Sequence, residues 1–123
     1  MNRRVVITGM GALTPIGNTH EQFWAAARRG DCGIDNITAY DTSKQTVKLA
    51  AEVKADISAF IPANEARKMD RFTALGIIAA REALADSGIN AENTDLERAG
   101  VLISSGIGGL STTVQETMRD FTL

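Results

Sequence analysis

Runs of β-branched and apolar residues without polar alternation occur at two places in the chain, residues 5–8 and residues 101–103. Continuous runs of this length predict strands that are covered on both faces, as in sheets that lie between layers of helices. A glycine-rich turn, residues 106–109, follows the second run. Open α/β sheets place their ligands at the carboxyl ends of strands, so this turn is the first candidate for a functional site.

Helical periodicity is strongest at residues 70–87, where apolar side chains recur every three or four residues. Gly88 follows this segment and is predicted to end the helix. A second helix is predicted from Thr19 to Gly30, because Thr19 and Gln22 have the spacing of a capping box. These two helices are the clearest local signals in the sequence.

Weaker signals predict the remaining elements. Residues 32–44 are rich in turn formers and are predicted to be a loop, while residues 46–53 alternate weakly, as an exposed or edge strand does. Asn64 is predicted to cap a short helical turn, and Ser111 or Thr112 to cap a final helix that reaches the end of the sequence. The order of elements predicts an α/β fold. Three strands are few for so many helices, so we expect the chain to be the amino-terminal part of something larger.

Composition and charge narrow the classes of function. The 123 residues are 44% hydrophobic and 23% charged, as in globular proteins, and a net charge of −2 argues against nucleic acid as the main partner. The single cysteine permits no internal disulfide framework, so we expect a reducing, cytoplasmic setting. One histidine and one cysteine argue against a zinc site, and no run approaches the ~20 apolar residues of a membrane span.

Two motifs that would carry chemistry fail the test of their spacing. Residues 5–11 invite a dinucleotide-binding interpretation, but the third glycine of that fingerprint is replaced by Thr14, so no cofactor is expected. Ser104 follows a predicted strand, where a nucleophile elbow would place its serine. That elbow needs a glycine two residues before the serine, and the chain has Leu102 there.

Neither the histidine nor the cysteine is placed as a catalytic group. Cys32 lies between Asp31 and Gly33, which would not obviously lower the pKa of its thiol, so we expect a half-buried loop thiol without a nucleophilic role. His20 lies in the first turn of a predicted surface helix, which disfavours a hydrolase triad.

A compact basic cluster, residues 67–71, interrupts an otherwise slightly acidic chain. One interpretation is a solvated helix face that makes weak ion pairs. The other is a docking patch for an acidic partner, which would steer association more than it fixes affinity. The residues alone leave both interpretations open.

Taken together, several stretches resemble the amino-terminal part of the β-ketoacyl–acyl-carrier-protein synthases, close to the type II elongating enzymes. They occur in the family's order and spacing along the whole chain. The matching stretches are Val5-Val6-Ile7-Thr8-Gly9-Met10-Gly11 with Pro15-Ile16-Gly17; Trp24 with Gly30-Asp31-Cys32-Gly33-Ile34; Arg67-Lys68-Met69-Asp70-Arg71-Phe72; Asp86-Ser87-Gly88; and Ser105-Gly106-Ile107-Gly108-Gly109-Leu110.

The resemblance implies an α/β fold of the thiolase-like type, with residues 1–123 as a truncated amino-terminal portion of the first βα half, layered helix–sheet–helix. It implies a cytoplasmic homodimer that condenses acyl chains with malonyl–acyl carrier protein in fatty acid biosynthesis, without a metal or other cofactor. The family's catalytic cysteine and two histidines match no position here, so no catalytic residue is assigned, and the 123-residue chain alone is expected to be inactive. Cys32 matches a small loop residue of the family.

Two matches do imply functional side chains. Ile107 falls at the family's gate to the acyl-chain pocket, where the bulk of its side chain would govern entry of longer chains. Arg67 and Lys68 fall where the family presents basic residues to the acidic carrier protein. A third basic position of that patch corresponds to Asn64, so docking could be weaker or differently placed here.

Two other classes of function are kept as alternatives. The first is a non-catalytic partner that shapes chain length within a condensing-enzyme heterodimer, which the residue at the nucleophile position in the following sequence would distinguish. The second is a nucleotide-dependent oxidoreductase, which the absence of a thermal shift with NAD(P) would remove.

Overall fold

The computed structural model describes residues 4–121, which form four α-helices, two short strands and two 3₁₀ turns. Of these residues, 4–56 and 79–88 make one unit (unit 1), and 57–78 and 89–121 make another (unit 2). In chain order the helices and strands are α1 His20–Arg29, β1 Ile34–Asn36, β2 Leu49–Ala51, α2 Ala63–Ala66, α3 Arg71–Ser87 and α4 Leu110–Phe121.

Helix α1 begins and ends at the residues predicted from the sequence. The Thr19 hydroxyl accepts a hydrogen bond from the Gln22 N–H at 3.2 Å, which satisfies one of the unpaired donors of the first turn. Gly30 adopts a left-handed φ of 78°, and its N–H donates to the Ala26 and Ala27 carbonyls. Local chemistry therefore suffices to place this helix.

Helix α3 is also confirmed, within one residue of its predicted start. Its small side chains let neighbouring segments approach closely, and Ala74 and Ile78 are buried. Gly88 follows the last helical residue with a φ of 64°, a left-handed conformation that favours glycine. The helix supplies its first half to unit 2 and its second half to unit 1.

A two-stranded antiparallel ladder joins β1 to β2, with Ile34 opposite Ala51 and Asn36 opposite Leu49. The predicted strand at 46–53 is thus confirmed in a shorter form. The loop prediction for residues 32–44 is wrong over β1, because pairing with a distant segment overrides the turn-forming residues around it.

The two buried strands predicted at residues 5–8 and 101–103 are not strands in the structure. Val5 is 93% exposed and Leu102 is 96% exposed. A strand exists only where its backbone groups pair with a neighbour, and among residues 4–121 the ladder of β1 and β2 takes up neither segment. In the second segment, Ile103 approaches helix α3. A Cβ added to Gly76 of that helix would lie 3.2 Å from the Ile103 Cγ2.

Two predicted helix starts also differ from the structure. Helix α2 starts at Ala63 after Pro62, whose ring restricts φ, here −53°, and Asn64 is the second helical residue with no capping role. Helix α4 starts at Leu110, before both Ser111 and Thr112, and the Thr112 hydroxyl donates to Asp70. The last two residues of the predicted final helix lie outside the described residues.

Apolar burial within the described part of the chain is modest. The side chains that are buried are Ala26, Ala55, Ile61, Ala74 and Ile78. The apolar residues of α4 (Leu110, Val114, Met118 and Phe121) are exposed. Within residues 4–121, no helix has both the length and the apolar character that crossing a membrane requires.

Candidate functional site

The glycine-rich turn before α4 is held by its own short-range bonds. The Ser105 hydroxyl accepts from the Gly108 N–H at 2.9 Å, and the Gly108 carbonyl accepts from the Leu110 N–H at 3.0 Å. Gly108 has a φ of 81°, which favours glycine. Ile107 lies within this turn and is 78% exposed. The turn therefore presents one large apolar side chain outward.

Asp70 contacts this turn and the first turn of α4. The Thr112 hydroxyl donates to Asp70 Oδ1. A Cβ placed on Gly109 would lie 2.6 Å from the Asp70 Cγ, closer than atoms can approach, so the carboxylate occupies the space of that missing side chain. The ring of Phe72 lies beside Gly108: a Cβ added to Gly108 would be 3.9 Å from the ring atoms Cε1 and Cζ.

A small notch of about 160 Å³ opens between the turn and the start of α3. It is lined by Asp70, Arg71 and Phe72 on one side and by residues 108–111 on the other. Pockets that enclose a small-molecule ligand usually measure about 300–1,000 Å³, so this notch is at most one wall of such a pocket.

The two basic residues predicted to dock a partner lie in the same unit as the turn. Arg67 ends α2 and its N–H donates to the Ala63 carbonyl at 3.2 Å, while the Lys68 N–H donates to the Glu65 carbonyl at 3.0 Å. Both side chains are exposed. Asp70, two residues after Lys68, links their segment to the turn that carries Ile107.

Cys32 and His20, the two residues considered as catalytic groups in the sequence, both lie in unit 1. Cys32 is exposed, which corrects the prediction of a half-buried thiol: it follows the end of α1 in a surface loop. His20 is bonded to a carboxylate, with 2.8 Å between its Nδ1 and Glu82 Oε1. Across residues 4–121, no three His, Cys, Asp or Glu side chains converge as a metal site would require.

The carboxylate of Glu82, on α3, is a structural anchor that sequence reasoning missed. Its Oε1 accepts from the His20 N–H at 2.8 Å, and its Oε2 accepts from the Ala12 N–H at 2.8 Å. One turn later, Asp86 Oδ2 accepts from the Met10 N–H at 2.8 Å. The signal available in the sequence was this pair of acidic residues four apart on an otherwise alanine-rich helix.

The pKa values of the Glu82 and His20 pair are shifted in opposite directions. The hydrogen bond to Glu82 raises the pKa of His20, and nearby acidic groups, Asp86 first among them, add to the rise. Partial burial alone would raise the pKa of the Glu82 carboxyl. The N–H groups of Ala12 and His20, together with the His20 ring, outweigh that effect, and the pKa of Glu82 is lowered.

Two amides of the loop at residues 9–12, those of Met10 and Ala12, donate to these two carboxylates. A dinucleotide site would need such amides free to face a pyrophosphate, and here the N–H groups of Met10 and Ala12 donate to Asp86 and Glu82. The cavity beside this loop is apolar and measures about 760 Å³, with Phe23 and Trp24 in its wall. Two of the amides that a pyrophosphate would need in this loop are therefore already bonded within the chain.

Comparison with known proteins points to one family. A family model described as "Beta-ketoacyl synthase, N-terminal domain" matches residues 2–121. The chain is 51% identical over 112 residues to 3-oxoacyl-[acyl-carrier-protein] synthase 2 of Staphylococcus aureus (strain N315), covering 90% of this chain and 27% of that protein. It is 47% identical over 109 residues to the protein of the same name from Vibrio cholerae serotype O1 (strain ATCC 39315 / El Tor Inaba N16961), covering 88% of this chain and 26% of that one.

The structural comparison agrees with the sequence comparison. The solved structure of the ishigamide ketosynthase/chain length factor superposes with a TM-score of 0.79 at 25% identity, over 98% of this chain and 31% of that chain. The α/β, thiolase-like fold class predicted from the resemblance is thereby confirmed. The chain spans about a quarter of the length of the curated relatives it matches.

Proposed function

The chain belongs to the β-ketoacyl synthase family, and on this premise we propose that the protein containing it elongates acyl chains in fatty acid biosynthesis. The reaction is a decarboxylative condensation: an acyl thioester and malonyl–acyl carrier protein give a 3-oxoacyl–carrier protein, carbon dioxide and the freed thiol. Residues 1–123 would form the amino-terminal portion of the thiolase-like domain. The observation that carries the proposal is the 51% identity, over 90% of this chain, to a 3-oxoacyl-[acyl-carrier-protein] synthase.

The exposed basic pair, Arg67 and Lys68, would receive the acidic carrier protein. No ion pair joins either side chain to another residue of the described range, so their charges are available to a partner. Charges at the rim of an interface mainly accelerate encounter and orient the partner, with a strong dependence on ionic strength. Asn64, which lies in α2 and carries no charge, leaves this patch smaller than the family's.

Ile107 would act as the gate for the acyl chain. Ile107 has an exposed, bulky side chain. The turn that carries it is held by the hydrogen bond from the Gly108 N–H to the Ser105 hydroxyl, which limits where that side chain can lie. A longer chain would have to pass this side chain.

The condensation chemistry itself would be supplied by residues outside this sequence. None of the family's catalytic cysteine and histidine positions has a match here, and the His20 ring is already paired with Glu82. We therefore propose that the 123-residue chain alone is inactive, and that the complete protein works as a cytoplasmic homodimer without a cofactor.

The enzyme is favoured over a non-catalytic partner subunit. The ishigamide ketosynthase/chain length factor is 25% identical to this chain, whereas the curated relatives at 47–51% identity are synthases by name. The higher identity is the better guide to which of the two classes this chain serves.

The test is a condensation assay with the purified, complete protein, acyl–carrier protein and malonyl–carrier protein, followed by mass spectrometry of the carrier-bound products. The expected product is the 3-oxoacyl thioester, with one carbon dioxide released per condensation. Carbon dioxide release and product both absent would contradict the proposal. Acyl transfer by the 123-residue chain alone would contradict its predicted inactivity.

A further inference from the structure

Asp70 lies where the basic segment and the glycine-rich turn meet. It follows Lys68 by two residues and immediately precedes α3, and its carbonyl accepts the Ala74 N–H at 3.1 Å in the first turn of that helix. Its side chain points to a different element: it accepts from the Thr112 hydroxyl and fills the space beside Gly109. One residue thus begins α3 with its backbone and holds the start of α4 with its carboxylate.

The carboxylate is well placed to hold that helix start. Thr112 is the third residue of α4, and the first turn of a helix carries unpaired N–H groups and a partial positive charge that favour a nearby negative group. The predicted capping residues, Ser111 and Thr112, do not precede the helix. A carboxylate from outside α4 is bonded to its first turn instead.

This contact restricts where Ile107 can be. Gly109 lies two residues after Ile107, a span of at most about 7 Å along the chain, so holding Gly109 also limits the position of the turn. On the other side of Gly108, the Ser105 hydroxyl holds the same turn. Release of the Asp70 contact would leave the turn held only by its own local bonds, around a glycine whose backbone is free to rotate.

We propose that Asp70 is a positioning residue: by holding Gly109 and Thr112, it keeps the turn in register with the segment that bears Arg67 and Lys68, and so sets how sharply Ile107 discriminates between long and short acyl chains. This inference rests on the proposed function. A carrier protein that docks on Arg67 and Lys68 would therefore contact a segment only two residues from Asp70, which holds the turn that bears Ile107. No contact of Asp70 with the substrate is needed.

The test uses the complete protein and compares Asp70→Ala, Asp70→Asn, Thr112→Val and Thr112→Ser with wild type. The first readout is the ratio of kcat/KM for a long and a short acyl–carrier protein. We expect Asp70→Ala and Thr112→Val to change this ratio in the same direction by about two- to tenfold, the range of residues that act through others. Asp70→Asn keeps an acceptor and Thr112→Ser keeps the hydroxyl, so both should stay near the wild-type ratio.

Asp95→Ala is the matched control. Asp95 lies in the same unit and its carboxylate accepts from the Glu97 N–H at the start of a 3₁₀ turn, so this variant also loses a carboxylate that holds a helical turn. We expect it to leave the ratio unchanged. The dissociation constant for carrier protein should stay within about twofold of wild type in every variant, because the contact positions the gate and does not bind the carrier.

Hydrogen exchange of residues 104–113 is the second readout, and it does not depend on catalysis. Faster exchange in Asp70→Ala and Thr112→Val, but not in Asp95→Ala, supports the inference. An unchanged exchange rate, or an unchanged chain-length ratio in an active enzyme, overturns it. If wild type fails to condense at all, the proposed function fails, and hydrogen exchange still decides whether Asp70 holds the turn. If Asp70→Ala does not fold, the nearly isosteric Thr112→Val decides both readouts.

Discussion

The Glu82 carboxylate binds His20 at two points, at the backbone N–H and at the ring Nδ1, each 2.8 Å from Oε1. Its other oxygen accepts the Ala12 N–H. One side chain on α3 therefore joins the loop after residue 8 to the start of α1 within unit 1. Because the His20 ring and the Glu82 carboxyl both titrate, this junction depends on pH.

We predict that the His20–Glu82 pair contributes most to the stability of the protein between about pH 4.5 and 6.5. The pKa of His20 is raised above its ordinary value of 6.5, so its contribution is complete below 6.5 and is lost as the pH rises through the higher, folded-state pKa. The pKa of Glu82 is lowered from 4.5, so its contribution is present above 4.5 and is lost as the pH falls through the lower, folded-state pKa.

The measurement is the free energy of unfolding across this pH range, in wild type and in Glu82→Gln. The variant loses the charge and one acceptor, so we expect a loss of about 1–3 kcal/mol, toward the lower end because the pair is partly solvated, and a flatter profile around pH 6–7. Glu92→Gln, an exposed acid elsewhere in the chain, is the control. Equal pH profiles for Glu82→Gln and wild type would show that the pair is not the titrating element.

We predict that Gly11→Ala destabilises unit 1 by about 1–3 kcal/mol, the usual cost of forcing an extra carbon into a packed contact. An added Cβ would overlap the Ala79 carbonyl oxygen and lie 2.8 Å from the Ala83 nitrogen, and helical backbone cannot move aside cheaply. Gly100→Ala is the matched control, since a Cβ there meets nothing within 4 Å. Urea denaturation of the two variants measures the difference; equal midpoints would contradict the close approach.

We predict that Arg67→Glu and Lys68→Glu weaken binding of the carrier protein by slowing association. Reversing an exposed charge repels an acidic partner, and the effect should shrink as added salt screens it. Surface plasmon resonance at low and high ionic strength measures the association rates. Lys44→Glu is the control for net charge, because it reverses an exposed lysine in unit 1. Equal slowing in all three variants would indicate a general charge effect and no docking patch.

We predict that Ile107→Ala raises kcat/KM for long acyl chains relative to short ones, and that Ile107→Phe lowers it. The direction follows from side-chain volume: a methylene in such a passage is typically worth about 10-fold or more in discrimination. Ile107 is largely exposed, so neither change should alter the unfolding midpoint by much. The measurement is the condensation rate as a function of acyl length in the complete protein. The same change in rate at every length would argue against a gate.

Local chemistry accounts for the elements that were predicted well. Thr19 and Gly30 bound α1 because capping and a left-handed stop act within a few residues, and Gly88 ends α3 for the same reason. The resemblance to the β-ketoacyl synthases was likewise visible, because the order and spacing of short motifs is a property of the chain itself, and the family comparison confirms it.

Long-range pairing explains the elements that were predicted wrongly. The apolar runs at residues 5–8 and 101–103 have strand character, but whether they become strands depends on backbone partners that no local pattern contains. Strand β1 shows the converse: its residues read as a loop, and pairing with β2 makes it a strand.

By itself, the sequence determined both ends of α1, the end of α3 and the family. The family resemblance then proposed Ile107 as the gate and Arg67 and Lys68 as the docking residues. Only the tertiary structure decided what holds them. In the sequence Asp70 is one member of a charged cluster, and the structure places it beside Gly109 and Thr112. Glu82 carried no sequence prediction, and the structure pairs its carboxylate with the Ala12 N–H, the His20 N–H and the His20 ring. These carboxylates bond to residues tens of positions away in the sequence, because a hydrogen bond depends on the distance between two atoms in space. A local sequence pattern does not contain that distance.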